Sequence, residues 1–441
     1  MEARISSTEG IILEKSHLSL DIERLRKRGT DKLLLGALVI WMLYSVSIFR
    51  NPLQPIMISD GDANAAARQI LFSMTGMLAM MRLFFSRTLG PVLIMRTPMV
   101  ALAGLLIFSA TWSGLPFLTL KRALIFLFGL LALIVIVHST RRPAQLMLRT
   151  VVSFTTVVAA VSLILHVVLP EACTVNPERP GLAGIAIHPN TLAPVISVGL
   201  LLSLGFKKLN GRSQLLLLIA RGVLTIALIM TFSMTTWLTT LVGLLIYSFL
   251  QTSTYRKGVL QVAIIGVLMG INLIGIDTIR ASFFDAAGKD ESLSGRDELW
   301  AQVWNECKES PLIGTGYGAF WTEGKGRELV QTWNPRQSHN AYLDLMLDIG
   351  GIGFLAVLII FPARLYFHWR FVSGESGSDR RRAASAMMTV AFSYMLIYSM
   401  GQSFFLRFDV YPFFIVTWIT LIIINPDSNN LSTEFSESSV A

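Results

Sequence analysis

His339 stands where a long polar stretch meets an apolar run, and an imidazole placed there has two uses. Because it titrates near neutral pH, it can act as general base on a sugar hydroxyl; as an ordinary interfacial histidine it only hydrogen-bonds to the loop. Arginines offer a second chemistry. Arg122, Arg179, Arg280, Arg296 and Arg336 carry planar forks that hold phosphate bidentately and stay charged at any relevant pH. The plain alternative for each is a surface charge or an ion pair, such as Arg296 with Asp297 or Glu298. Gly314, Gly316 and Gly318 follow Pro311 and form a tight turn that brings Tyr317, Phe320 and Trp321 to a membrane surface or a sugar ring. A nucleotide-binding reading needs a strand before such glycines and a helix after them, and the flanking sequence supplies neither. His188, before Pro189 and Asn190, either touches a ligand or caps the helix that Pro189 starts.

The elements that position these residues are membrane spans. The chain has 441 residues, 53% hydrophobic and 15% charged, and the apolar residues fall in repeated runs of the length a helix needs to cross a bilayer. Backbone polar groups in lipid must be satisfied within the segment, so the runs are helices. The expectation is an all-α polytopic membrane protein of about twelve transmembrane helices. They are placed at 33–49, 69–85, 91–110, 123–137, 151–169, 191–206, 214–231, 235–250, 259–276, 340–367, 384–401 and 410–424. Residues 1–32 form an N-terminal arm, 33–425 the transmembrane domain with a long loop at 277–338 between spans nine and ten, and 426–441 a disordered tail.

Lys and Arg concentrate in the short loops on the side of the N-terminus. By the positive-inside rule both termini are cytoplasmic and the 277–338 loop lies outside, periplasmic in a bacterial inner membrane. No cleavable leader is expected, since the first apolar run begins only at Leu33. The formal charge of +9 therefore reads as topology signal rather than nucleic-acid binding. Arg221, inside a span, is expected to snorkel to the headgroups. Cys173 and Cys307 are too few for a disulfide framework and lack metal-ligand spacing; both fall on the oxidising side, where a single disulfide would tie a span to the loop.

At these residues the sequence resembles the O-antigen ligase and Wzy-type polymerase superfamily, most closely its exopolysaccharide repeat-unit polymerases of the ExoQ type. The resemblance rests on Ser294-Gly295-Arg296 with Trp300 and Trp304, and on the run from Ser310 to Gly318. It rests also on Ser338-His339-Asn340-Ala341-Tyr342 leading into Asp348-Ile349-Gly350-Gly351-Ile352-Gly353, with Arg179 and His188-Pro189-Asn190 upstream. It implies an inverting, metal-independent glycosyl transfer at the periplasmic face, without cofactor, from a glycan on undecaprenyl pyrophosphate. Carried over, His339 is the base or activator for the acceptor hydroxyl and Arg296 holds the pyrophosphate. Asn340, Arg179 and Arg122 are the further candidates for substrate binding.

Ligases commonly carry a Ser-Arg pair between the seventh and eighth spans. This chain has Ser233-Met234-Thr235-Thr236, which favours polymerase over ligase and leaves Arg179 or Arg122 to supply the second phosphate-binding cation. The other departure is Asp348, where a Glu often stands. The implied partners are a lipid-linked oligosaccharide, a chain-length regulator and export proteins. A ligase that moves a finished glycan is the alternative, and a secondary transporter the rival from another class.

Overall fold

The computed structural model describes residues 31–46, 61–86, 90, 96–140, 142–170, 181–186, 188–206, 211–251, 294–322, 329, 337–373, 379–407 and 410–423. These residues are helical with connecting turns, and no strand occurs among them. The helices are α1 (Lys32–Ser45), α2 (Gly61–Phe85), α3 (Thr97–Phe108), α4 (Pro116–Ser139), α5 (Pro143–Val168), α6 (Pro189–Ser203), α7 (Gly211–Met230), α8 (Met234–Gln251), α9 (Ser294–Glu309), α10 (Ala341–Ser373), α11 (Asp379–Tyr398) and α12 (Tyr411–Ile423). Each expected span overlaps an apolar helix except the ninth, 259–276, which lies outside the described residues. Four helices among the described residues are long and apolar enough to cross a membrane; the other apolar helices are shorter.

Helix starts follow local sequence. Proline opens α4, α5 and α6 and sits in the first turn of α3, where a missing N–H costs nothing. Asp31 caps α1, its carboxylate accepting from Leu34 N–H (3.1 Å) and pairing with Arg82 of α2 (2.9 Å). His188 caps α6, its Nδ1 accepting from Asn190 N–H (3.0 Å), so the capping alternative is the one observed.

α4 lies at the centre. From Gly129 to Ser139 it is buried on every side, against α2, α3 and α12, as a helix apolar all round must be. α12 is buried along its length, and Trp41 of α1 stacks on Phe72 of α2 with ring centroids 3.9 Å apart. α7 is the opposite case: Leu215, Leu216, Leu218, Ile219, Ile226 and Ile229 are exposed, a face suited to lipid. Lipid tails are as apolar as Leu, so helices in a bilayer associate through close packing at small residues. Gly199 of α6 is such a point, since a Cβ there would fall on the Thr155 side chain of α5. Arg221, expected to snorkel, reaches the end of α6 instead: its Nη2 donates to the Ser203 carbonyl (2.8 Å) and its Nε to Ser203 Oγ (3.2 Å), at a helix end where carbonyls can accept.

Gly199→Val is expected to cost about 1–3 kcal/mol through overpacking. The detergent-solubilised protein should melt several degrees lower. Gly36→Ala, where a Cβ meets nothing within 4 Å, should leave the melting temperature unchanged or raise it.

Candidate functional site

The site is built around a break in α10. Gly350 has φ 61° and ψ −167°, so two helical segments, one starting at Ala341 and the other continuing to Ser373, meet there out of register. A break inside an apolar helix frees backbone groups that lipid cannot satisfy. The turn after α9 satisfies them. Thr315 N–H donates to Leu347 O (2.8 Å) and Gly316 N–H to Asp348 O (3.0 Å), while Pro311 O accepts from Gly351 N–H (2.8 Å) and Leu312 O from Ile352 N–H (3.1 Å). This contact needs glycine on both sides. A Cβ on Gly314 (φ 67°) would lie 2.6 Å from Leu347 O, and one on Gly350 would fall on the backbone of Leu312 and Ile313.

Contrary to the expected presentation of aromatic rings at a surface, the glycine turn buries Tyr317 and Phe320 and leaves Trp321 half-buried. Tyr317 is buried, its N–H donating to Ser109 Oγ (3.1 Å) and its hydroxyl to Leu406 O. Phe320 packs into a small cluster with Leu299, Val303, Cys307 and Leu347. That cluster seats α9 through one face, at a spacing of four residues. Burial pushes the Cys307 thiol up to about 11, with Asp344 and Asp348 adding to the effect, so it is protonated at neutral pH. Cys173, its expected partner, lies outside the described residues.

His339 has a left-handed backbone, φ 56°. A non-glycine residue held in such a region costs of order 1–3 kcal/mol and persists only where its surroundings over-determine it. Here they do. Ser338 is fully buried; its Oγ donates to Asn340 O (2.7 Å) and accepts from Asn340 N–H (3.0 Å). Its carbonyl accepts from the Trp300 indole (2.9 Å) and its N–H donates to Asp344 Oδ1 (3.1 Å). Ala341 N–H donates to Ser399 O (2.9 Å). Asn340 is the cap of α10: its Oδ1 accepts from Tyr342 N–H (3.0 Å) and Leu343 N–H (3.4 Å). The His339 ring nitrogen Nδ1 meets Gln337 Nε2 at 3.3 Å.

Beside this turn is a cavity of about 360 Å³ between the start of α4, the glycine turn, α10 and the 403–407 connection. Its polar lining includes Lys121, Arg122, Arg407, Gln337, Asp344 and Asp348; Phe72, Ile125, Phe126 and Leu345 give it an apolar side. Arg122 Nη1 donates to Gly318 O and to Thr322 Oγ1 (3.0 Å), which ties the head of α4 to the glycine turn. Asp344 Oδ1 also accepts from the Trp321 indole (3.0 Å).

Of the residues expected from sequence, Arg122 lines this cavity, and His339 adjoins it through Gln337 without being a lining residue. Arg296 is the third residue of α9, where only the backbone is described, and Arg179 lies outside the described residues. The chain just after Arg179 packs on the α7–α8 turn, Leu182 N–H donating to Met230 O (2.7 Å). Lys121, Arg407, Asp344 and Asp348 were not singled out as site residues. The signal for the carboxylates was present: two ionisable groups at i and i+4 share one face of a membrane helix, where such groups are rare.

Apolar helices packed around a charged cavity define a multi-pass helical membrane protein with a polar site between its helices. Comparison with known proteins agrees with the resemblance read from the sequence. Residues 219–358, from α7 into the second segment of α10, match the family model described as O-antigen ligase. A stretch of 94 residues is 32% identical to the exopolysaccharide production protein ExoQ of Rhizobium meliloti (strain 1021), covering 20% of this chain and 20% of that protein. The match thus spans a fifth of the relative's length. The family match contains both halves of the glycine docking and His339, while Arg122 and Lys121 lie outside it.

Gly350→Ala should unseat the docked turn. Hydrogen exchange on the purified protein should then show lost protection at the Thr315, Gly316 and Gly351 amides, with α12 unaffected; protection unchanged at those three would contradict the docking.

Proposed function

We propose that this chain joins lipid-linked oligosaccharide repeat units into an exopolysaccharide. The reaction would be an inverting, metal-independent glycosyl transfer from undecaprenyl pyrophosphate at the periplasmic face of a bacterial inner membrane, with both termini cytoplasmic. The observation that carries this reading is the cavity. Three cations, Lys121, Arg122 and Arg407, and an apolar wall border one space inside a membrane bundle. That pairing suits an amphiphile with an anionic head and an isoprenoid tail. Similarity to a family described as O-antigen ligase and to an exopolysaccharide production protein supplies the glycan.

In this reading the cations hold the pyrophosphate and stabilise the charge that grows on it as the glycosidic bond breaks. Arg122 is pre-set for the task by Gly318 and Thr322. Arg296 and Arg179 are the additional cations. His339, held in a strained backbone at the loop's end, serves the acceptor side from beside the cavity, and fixing both tethered substrates in one place lowers the entropic barrier. A chain-length regulator and export proteins are the partners such a polymerase needs.

The ligase alternative is favoured by one observation, the description of the matched family itself. The two separate by product: a polymerase lengthens lipid-linked units, whereas a ligase transfers a finished glycan to another acceptor.

His339→Ala and Arg122→Ala are each expected to lower polymer formation by about a hundredfold or more, as loss of a group that positions the reacting atoms or stabilises their charge does. Membrane insertion should be unchanged. The check is polymer length on gels from cells complemented with each variant. Full-length polymer from a well-inserted His339→Ala protein would remove His339 from the mechanism.

A further inference from the structure

The proton of the attacking hydroxyl needs a destination, and the geometry of the cavity restricts it. If the pyrophosphate sits against Lys121, Arg122 and Arg407, the anomeric carbon is one ester oxygen away. The attacking oxygen then approaches from the far side at about 3–3.5 Å. A proton acceptor must lie within hydrogen-bond reach of that oxygen, and so must border the same space. His339 is not among the residues lining it, and the contact of its Nδ1 is with Gln337 at the edge.

Two carboxylates do line it, Asp344 and Asp348. They differ in what they already hold. Asp344 Oδ1 accepts from Ser338 N–H and from the Trp321 indole, so it fixes the turn carrying His339. Asp348 takes a backbone hydrogen bond from Gly318 on its carboxylate, yet its Oδ1 is buried with no hydrogen-bond partner among the described residues. A buried carboxylate oxygen without a donor is costly and calls for an explanation. Its position is also the most constrained in the site. Asp348 O accepts from Gly316 N–H, two residues before the glycine break, so the docked turn sets where this carboxylate stands.

We propose that Asp348, rather than His339, takes the proton of the acceptor sugar hydroxyl, and that His339 acts through its contact with Gln337, which does line the cavity; this rests on the glycosyl-transfer reading above. The hydroxyl oxygen forms a bond to the anomeric carbon as the bond from that carbon to the phosphate oxygen breaks. The bonding pair leaves with the lipid pyrophosphate, and the hydroxyl proton passes to the Asp348 carboxylate. Configuration inverts, and no other reactant is required. Asp344 is a positioning residue in this arrangement.

The test uses the full-length protein in nanodiscs with lipid-linked single repeat units extracted from a strain lacking it. Two quantities are followed: donor binding, and release of lipid pyrophosphate under saturating donor. Asp348→Asn should bind donor within about threefold of the unaltered protein while turnover falls at least about a hundredfold. Asp348→Glu, which keeps the carboxylate one methylene further out, should recover at least about a tenth of the lost rate. Turnover of Asp348→Asn within about tenfold of the unaltered protein would overturn the assignment, as would equal loss of donor binding and turnover. If the Asn variant is not monodisperse, the Glu variant decides: folded and inactive, it overturns the proposal. If the unaltered protein releases no lipid pyrophosphate at all, the glycosyl-transfer reading itself falls, a result distinct from failure at Asp348.

Discussion

The site depends on one constraint, the need to satisfy backbone groups freed by the break in α10. Lipid offers no hydrogen bonds, so a helix can be interrupted at that depth only where other protein reaches the gap. Residues 311–316 do so with four backbone hydrogen bonds across the Gly350 break. Their approach is so close that Cβ atoms at Gly314 and Gly350 would collide with the opposing backbone. The turn after α9 thereby becomes part of the helical bundle's wall.

The remaining contacts follow from that seat. Once the turn is in place, Gly318 O meets Arg122 on α4, Tyr317 reaches Leu406 before α12, and the Trp112 indole of the α3–α4 connection donates to Ile313 O (3.2 Å). Four parts of the chain are joined at one point, and the charged cavity is the space left between them. The turn carrying His339 is held from the same side, since Trp321, just beyond the glycines, shares Asp344 with Ser338. Backbone strain at His339 is thus supported by side chains from α9, the glycine turn and α10.

Much of the helical framework was legible, because runs of about twenty apolar residues have one solution in lipid. The start of α4 was not. The expected span starts at residue 123, after Lys121 and Arg122, yet the helix begins at Pro116. Pro116 was the available signal, and reading it would have put both cations on the first turns of a helix. Arg407 carried no signal of its own; only the fold brings the α11–α12 connection to the cavity. The glycine-rich motif was recognised as a turn, but its partner, Gly350, lies over thirty residues away in a run that reads as continuous helix. Nothing in composition or period reveals that two distant glycines exist to meet. Asn340 carries a second role that its position beside His339 does not announce: its amide oxygen caps α10.

The central claim is that the charged cavity joins lipid-linked glycan units. It is tested most directly by comparing the surface glycan and the extracted lipid-linked intermediates of a strain lacking this protein with those of its parent. The account predicts that single lipid-linked repeat units accumulate while long polymer disappears. An unchanged glycan with no accumulated intermediate would contradict it.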